Sequence, residues 1–231
     1  MDHTTMRIIA RIRSEFPTKF GIPRQSGLVD SLRATIVFEP EFHSADALRG
    51  IEGYSHLWLI WQFSECVNEE GSWSPTVRPP RLGGNKRVGV FATRAPYRPN
   101  PIGLSSVKLE EVCLHTPDGP VLIVSGADLM DGTPIYDIKP YLAYVDSHPE
   151  ASDGFALAQK EGVLKVECAE DLINRLPEEK RQALLDVLAQ DPRPQYQNDP
   201  ERLYQFEFSD FHVAFSVNED YLTVKDITAL K

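Results

Sequence analysis

The segment YSHLWLIWQF, residues Tyr54–Phe63, holds the longest apolar stretch of the chain. The stretch itself, Leu57–Phe63, is rich in Leu, Ile and Trp and is interrupted by Gln62. A membrane-spanning helix needs roughly 18 consecutive apolar residues, so the segment is too short to cross a bilayer. Its length and composition predict a buried β-strand, and no other part of the sequence predicts a membrane segment.

Similar short apolar segments surround it on both sides and are bounded by Gly, Pro and Asp, which predicts further strands. Because no long helical pattern separates them, they favour an antiparallel sheet or barrel over a doubly wound sheet. One short helix is predicted at Ser44–Arg49, with Ser44 able to cap its first turn. The other predicted strands of this region are Met6–Ile12, Leu32–Phe38, Arg87–Thr93, Val107–Leu114 and Val121–Ser125.

A change of composition at Asp146–Gly162, where periodicity ends and small and polar residues gather, predicts a boundary between two units. We therefore expect a mainly β domain over residues 1–150 and a smaller α+β domain over residues 151–231. In the second domain, Pro177–Gln190 predicts a helix that ends at Asp191-Pro192. Its predicted strands are Leu203–Phe208, Phe211–Val217 and Tyr221–Ile227.

The composition argues against several kinds of protein. Hydrophobic residues make up 42% and charged residues 25% of the 231-residue chain, as in ordinary globular proteins. Cys66, Cys113 and Cys168 lie far apart, and the six histidines form no clustered pattern, so a metal site has little support. The N-terminal residues carry charges throughout and lack the apolar core of a secretory signal, so we expect a cytoplasmic protein.

The charge distribution is uneven although the formal net charge is −10. Between Gly71 and Leu109 there are seven Lys and Arg residues and no Asp or Glu. Such a stretch in an acidic protein can concentrate an anionic ligand at one site. A solvated basic loop is an equally good interpretation of composition alone.

Three Gly- and Pro-rich segments combine rigid backbone with polar groups, as loops that shape a ligand pocket do. They are Phe20–Leu28, Gly89–Ser105 and Asp128–Tyr141. In the second, three prolines stiffen the backbone around Tyr97, Arg98 and Asn100, which suggests a preorganised site. The alternative is a structural crossover whose Arg side chains donate to carbonyl groups. The first segment, taken alone, is typical of an ordinary loop.

The third segment predicts a turn at Asp131-Gly132 followed by a strand. Strand alternation places Asp137, Lys139 and Tyr141 on one face and Tyr136 on the other. By itself, the Asp137 and Lys139 pattern is best explained as a surface ion pair. The sequence contains no P-loop, no GxGxxG motif and no nucleophile elbow, which disfavours a Rossmann-type nucleotide site.

Taken together, these segments resemble the TrmO (YaeB/TsaA-like) family of tRNA methyltransferases. The resemblance covers nearly the whole chain and is most specific over thirty residues, Thr76–Ser105. It is carried by KFGIPRQSGLV (Lys19–Val29), GYSHLWLIW (Gly53–Trp61), TVRPPRLGGNKRVGVFATRAPYRPNPIGLS (Thr76–Ser105), DLMDGTPIYDIKPYL (Asp128–Leu142) and VLAQDPRPQY (Val187–Tyr196).

The resemblance implies a small antiparallel β-barrel, a homodimer, and a pocket for S-adenosylmethionine (SAM) outside the Rossmann scheme. It also implies methylation of N6 of threonylcarbamoyladenosine beside the tRNA anticodon. Our own hypothesis is that the second domain helps to position the tRNA. Ser64 and Glu65 are also placed around SAM, at a position where this chain departs from the family, whose members often have His-Gln there. The other residues that the resemblance places around SAM are Pro23, Arg24, Gln25, Ser26, Arg94, Leu104, Asp131, Gly132, Thr133 and Pro134.

The chemistry of methyl transfer suggests roles for these residues. SAM carries a carboxylate that suits Arg94 and positive groups that suit Asp131 or Glu65. Tyr136 or Asp137 is predicted to assist as a base. Substrate positioning is assigned to Arg98, Asn100, Lys139, Tyr141 and Arg193, with Tyr196 as a further candidate. Two alternatives stay open: a non-catalytic SAM- or tRNA-binding adaptor, and a small-molecule methyltransferase on the same barrel.

Overall fold

The structure, a computed structural model, describes residues 5–66, 73–79, 85–155, 163–193 and 199–230. Its first unit contains the strands β1 (Ala10–Arg13), β2 (Arg33–Phe38), β3 (His56–Gln62), β6 (Ile102–Cys113), β7 (Val121–Ser125) and β8 (Pro134–Pro140). These six strands close into a barrel in the order β1-β2-β7-β6-β3-β8, and every neighbouring pair is antiparallel. The predicted mainly β fold with an antiparallel barrel is therefore confirmed.

Alternation along the strands creates the barrel core. In β3, Leu57, Leu59 and Trp61 are buried, whereas the residues between them are partly exposed. The same period of two buries Ile12 in β1 and Ile36 in β2. Burial of each such side chain stabilises the fold by about 1.5–3 kcal/mol, so register is strongly specified.

The second unit packs a helix against a four-stranded sheet. Its elements are β9 (Lys165–Glu167), α2 (Glu170–Ile173), α3 (Glu178–Ala189), β10 (Tyr204–Phe208), β11 (Phe211–Asn218) and β12 (Tyr221–Ala229). The strand order is β10-β11-β12-β9, and β9 pairs with β12 in parallel whereas the other two pairs are antiparallel. Leu184, Val187 and Leu188 share one buried face of α3.

The segment between β1 and β2 leaves the barrel and joins the core of the second unit. Phe16, Val29 and Leu32 are buried in the same hydrophobic cluster as α3 and β10–β12. The Phe16 ring lies edge-on to that of Phe208, with 5.8 Å between centroids. The predicted domain boundary near residue 150 stays a prediction, but residues from the first unit help to build the second core.

Several predicted elements differ in detail from the structure. The predicted strand Arg87–Thr93 is only β5 (Val88–Gly89), which pairs with β4 (Thr76–Val77), and then a 3₁₀ turn at Val90–Ala92. β6 begins at Ile102, five residues before the predicted Val107, because Gly103, Ser105 and Ser106 interrupt its apolar pattern. The sequence pattern did not predict β9 or α2, which are three and four residues long. The predicted helix near Ser44 is a 3₁₀ turn, Ala45–Leu48, without a side-chain cap from Ser44.

A further short helix, α1 (Ala143–Asp146), follows β8. Among the described residues, no helix is both long enough and apolar enough to span a membrane.

Candidate functional site

A cavity of about 990 Å³ opens where β3 ends, β6 begins and the chain leaves β7. Strand ends and loops meet at this point, so polar groups can face the cavity without interrupting a strand ladder. Two surfaces enclose much of it. One, the barrel wall, consists of Trp61, Gln62, Gly103, Leu104, Ser106 and Asp128. The other, the pocket loop, is the segment Phe20–Gly27 between β1 and β2.

The barrel wall is built on the pairing of β3 with β6. Trp61 lies opposite Gly103 in the register, and a Cβ at Gly103 would come within 2.2 Å of the Trp61 ring. Trp61 Nε1 donates to Ser105 Oγ at 2.9 Å, and Ser105 Oγ donates to Asp128 Oδ1 at 2.5 Å. A continuous hydrogen-bonded line thus runs from the buried indole to a carboxylate in the cavity.

Asp128 is a partly buried carboxylate that lines the cavity. Burial raises its pKa, although hydrogen bonds from Ser105 and from the Ser26 backbone and the positive charge of Arg94 act in the opposite direction. A negative charge here is poorly hydrated, so it can interact strongly with a positive ligand group.

The pocket loop is attached to the barrel by several hydrogen bonds. The Ser106 backbone N–H donates to Ser26 Oγ at 3.2 Å, and Gly27 N–H donates to Gly126 O at 2.8 Å. Arg94 donates from Nη1 to Gln25 Oε1, which brings the loop into contact with the crossover that precedes β6.

That crossover, Val90–Pro101, is stiffened by local hydrogen bonds as well as by its prolines. Arg98 Nη1 donates to Thr93 O at 3.1 Å, and Thr93 Oγ1 donates to Val90 O at 2.8 Å. Ile102 N–H donates to Asn100 O at 2.7 Å. Arg98 thus donates to a carbonyl group, as the interpretation of a structural crossover expects, and it also lines the cavity.

Exposed apolar side chains surround the mouth of the cavity. Phe91 is 73% exposed and Leu104 57% exposed, although both line the cavity. Trp73 packs beside Phe91 with ring centroids 6.1 Å apart. Within the described ranges, no group of three or more His, Cys, Asp or Glu residues is arranged to hold a metal ion.

Two family models cover most of the sequence. The tRNA-methyltransferase O N-terminal domain matches residues 11–147, and the TrmO C-terminal domain matches residues 162–230. The chain belongs to the TrmO family. The resemblance inferred from its motifs is thereby confirmed.

Relatives of this TrmO-family chain match it over most of its length. The tRNA (adenine(37)-N6)-methyltransferase of Escherichia coli is 44% identical over 219 residues, 91% of this chain and 92% of that protein. The probable S-adenosyl-L-methionine-binding protein of Pyrococcus abyssi is 35% identical over 165 residues, 71% and 81% of the two chains. A crystal structure of TrmO from Pseudomonas aeruginosa has a TM-score of 0.77 at 34% identity and covers 99% of this chain and all of that one.

The structure brings most of the predicted site residues of the TrmO-family chain to one cavity. They come from four separate parts of the sequence, which only the folded barrel places together. The predicted residues that line the cavity are Pro23, Arg24, Gln25, Ser26, Ser64, Glu65, Arg94, Arg98, Asn100, Leu104 and Thr133.

Part of the turn after β7 lies outside this lining. The Ser14 backbone N–H donates to Asp131 Oδ1 at 2.9 Å, and Asp131 lines a second, smaller cleft. Gly132 N–H donates to Ile12 O at 2.8 Å, and Pro134 is buried where β8 pairs with β1. These three residues shape the turn that presents Thr133 to the cavity.

The predicted residues of β8 divide between two environments. Tyr136 donates from its hydroxyl to Gln62 Oε1 at 2.6 Å, and burial raises its pKa. Lys139 Nζ lies 2.8 Å from Asp137 Oδ2 in an exposed ion pair, which raises the pKa of Lys139. Tyr136 thus reaches the barrel wall through Gln62, whereas Asp137 and Lys139 form the predicted surface pair.

The two remaining predicted residues lie away from the cavity lining. Tyr141 packs on Trp58, which itself lines the cavity, with ring centroids 5.3 Å apart. The Arg193 side chain is only 11% exposed, and its guanidinium pairs with Asp191. Tyr196 falls outside the described residues.

Sequence reasoning missed several cavity residues. Asp128 begins the third Gly- and Pro-rich segment, but nothing in its spacing distinguished it from a turn residue. Trp61 and Phe63 belong to the apolar segment Tyr54–Phe63, whose pattern predicted only that they pack in a core. Their rings lie 4.3 Å apart at the end of β3, where the strand leaves the core and faces the cavity.

Proposed function

We propose that this chain transfers a methyl group from SAM to N6 of adenine 37 in tRNA, with threonylcarbamoyladenosine as the substrate nucleoside. Membership of the TrmO family and the name of the Escherichia coli relative support the reaction. The observation that carries the proposal here is the single cavity that combines Arg94, Asp128 and an apolar surface.

The residues of the cavity suit the groups that SAM carries. Arg94 is a cationic donor for the carboxylate, and Asp128 and Glu65 are acceptors for the positive ammonium and sulfonium groups. Leu104 and Phe63 offer apolar surface to the adenine ring. When bound, SAM supplies an electrophilic methyl group, and the barrel wall and pocket loop orient it.

Formation of the new N–CH₃ bond breaks the S–CH₃ bond, and the N6 proton must pass to an acceptor. Tyr136 suits a donor role, because a tyrosine hydroxyl is protonated at neutral pH and burial raises its pKa further. We propose that it holds Gln62 towards the reacting groups. Asp137, on the outer face of β8, stays the predicted base for a nucleotide that approaches from outside the barrel.

The basic stretch supports an anionic partner despite the net charge of −10. Arg78, Lys86 and Arg87 are exposed, and no acidic residue occurs between Gly71 and Leu109. Phosphate contacts by such residues fix the position of a nucleic acid. Lys139 and Tyr141 are proposed to contact the nucleoside from the side of β8.

We also propose that the chain acts as a cytoplasmic homodimer. The exposed apolar side chains at the mouth of the cavity, Trp73, Phe91, Ile102 and Leu104, support a second chain at this face. Light scattering of the protein and of a Phe91→Ser variant tests the dimer, and an unchanged monomeric mass for both would contradict it.

The decisive experiment incubates purified protein with methyl-labelled SAM and tRNA that carries or lacks threonylcarbamoyladenosine. We expect labelled methyl only in the modified tRNA, located on N6 of nucleoside 37 by mass spectrometry. Arg94→Ala should reduce SAM affinity, because it removes the donor proposed for the carboxylate. SAM binding without methyl transfer would favour an adaptor, and transfer to a small molecule without tRNA would favour the other alternative.

A further inference from the structure

The first part of the pocket loop, Phe20–Arg24, rests on the second unit. Its flanking residues Phe16, Val29 and Leu32 are at most 2% exposed and belong to the core of that unit. Between them, the Phe20 ring packs edge-on against Phe206 at 6.3 Å between centroids, and Ile22 packs on the same core. The loop that lines the cavity therefore has the second unit directly behind it.

At Gly21 the backbone is in close contact with Phe206 of the second unit. Gly21 has a φ of +93°, and a Cβ there would lie 2.3 Å from the Phe206 ring. Because Phe206 is itself buried, the ring has little room to move. Both the backbone conformation and the close approach require glycine.

A charged cluster completes this support at the tip of the loop. Arg24 Nη2 donates to the backbone oxygens of Asp191 at 3.2 Å and of Arg193 at 3.3 Å. Arg193 donates from Nε and Nη2 to the two carboxylate oxygens of Asp191, each at 2.8 Å. Such a bidentate pair has one preferred geometry, so it fixes the turn whose carbonyl groups receive Arg24.

The surroundings of Arg193 favour an interaction within the protein over one with a nucleic acid. Its side chain is 11% exposed and that of Asp191 17% exposed, so the pair is largely shielded from water. Asp191 has a φ of +51°, a conformation that the pair and the end of α3 must hold in place. A guanidinium bound in this way is poorly placed to contact tRNA phosphate.

We propose that Arg193 is a positioning residue for the SAM site. It acts through Asp191 and Arg24, and the second unit serves as the rear support of the pocket loop. The inference rests on the proposed function, because it assumes that SAM occupies this cavity. It replaces the tRNA-binding role that the sequence suggested for Arg193.

The test compares SAM binding and steady-state kinetics of the full-length Arg193→Ala variant with those of the unmodified protein. We expect the Kd and KM for SAM to rise about tenfold, since charge-assisted hydrogen bonds are lost. The KM for tRNA and the kcat at saturating SAM should change less than about twofold, because the groups that face the nucleotide are untouched.

Arg175→Ala is the matched control. Arg175 Nη1 donates to Asp226 Oδ1 at 2.8 Å and to Ile227 O at 2.9 Å, so it too joins a carboxylate and a carbonyl group within the second unit. We expect its SAM Kd to equal that of the unmodified protein. Asp191→Asn tolerates the left-handed backbone, weakens the same pair and should raise the SAM Kd in the same direction.

Different outcomes separate the two proposals. Failure of the unmodified protein to bind SAM overturns the proposed function. If the unmodified protein binds SAM but Arg193→Ala has an unchanged SAM Kd, only the proposed role of Arg193 is overturned, whatever the KM for tRNA is. An equal loss in Arg175→Ala also overturns that role, because the effect is then one of general stability. If Arg193→Ala does not fold, an unchanged SAM Kd in Asp191→Asn overturns it instead.

Discussion

The barrel wall and the pocket loop face the same cavity but are held in different ways. In the barrel wall, the ladder between β3 and β6 fixes Trp61, Gly103 and Leu104 through many equivalent hydrogen bonds. The pocket loop has no strand pairing of its own and depends on a few single contacts. Some are with barrel residues such as Gly126, and others are with residues more than 160 positions away, such as Asp191. A wall built from a ladder tolerates the loss of one contact, whereas a wall built from single contacts does not.

The largest effect is expected where the pocket loop meets the second unit most closely. Gly21→Ala should lower the free energy of unfolding by about 2–4 kcal/mol, because it adds left-handed backbone strain to a clash with Phe206. Gly50→Ala is the control, since Gly50 has a φ of +88° but no atom within 4 Å of the added Cβ. Urea unfolding measures both, and equal losses would contradict close packing of the loop.

The next largest effect is expected at Asp128, the negatively charged residue of the barrel wall. Asp128→Asn should raise the SAM Kd about thirtyfold, since a charge-assisted interaction contributes about 2 kcal/mol. Because the pKa of Asp128 is raised, SAM affinity should fall with decreasing pH sooner than for an ordinary aspartate, as the carboxylate is protonated.

The Asn variant should lack this pH dependence. Calorimetric titration across the acidic range checks the expectation, with the exposed Asp46→Asn as a control that should bind SAM normally. Identical pH profiles for the Asn variant and the unmodified protein would show that another group provides the charge.

A smaller effect is expected where β8 meets the barrel wall. Tyr136→Phe removes only the hydroxyl that donates to Gln62, so kcat should fall about five- to tenfold. Tyr144→Phe, at a side chain that is 84% exposed, should leave kcat unchanged. A loss beyond about a thousandfold, with a changed pH–rate profile, would instead identify Tyr136 as the base.

The smallest effects are shifts in Tm, expected at two lysines whose ion pairs differ in exposure. Lys139→Ala breaks an exposed pair with Asp137 and should shift Tm by no more than about 1 °C. Lys180→Ala should lower Tm by about 3 °C, because Lys180 Nζ lies 2.7 Å from Glu15 in a less exposed pair that joins the second unit to the segment before the pocket loop. Thermal unfolding compares the two, and equal shifts would remove the distinction between surface and inter-unit pairs.

Much of the architecture was predictable because strand periodicity is a local property. The segments around Leu57 and Ile36 alternate clearly, and their strands lie within two residues of the predicted bounds. Between Arg87 and Thr93 the prediction of one strand was wrong, because the chain turns after Gly89 into a 3₁₀ turn that buries Val90 and leaves Phe91 at the cavity mouth. No spacing in the sequence predicts that Arg24, Arg94 and Leu104 line the same cavity.

The sequence by itself determined the class of the fold and the family, because alternation selects strands and the long Thr76–Ser105 motif is specific. Only the tertiary structure decided that Asp128 faces the cavity and that Arg193 supports the pocket loop. The physical reason is that burial and hydrogen-bond partners are set by residues distant in the chain, such as Ser105 for Asp128 and Arg24 for the turn at Arg193.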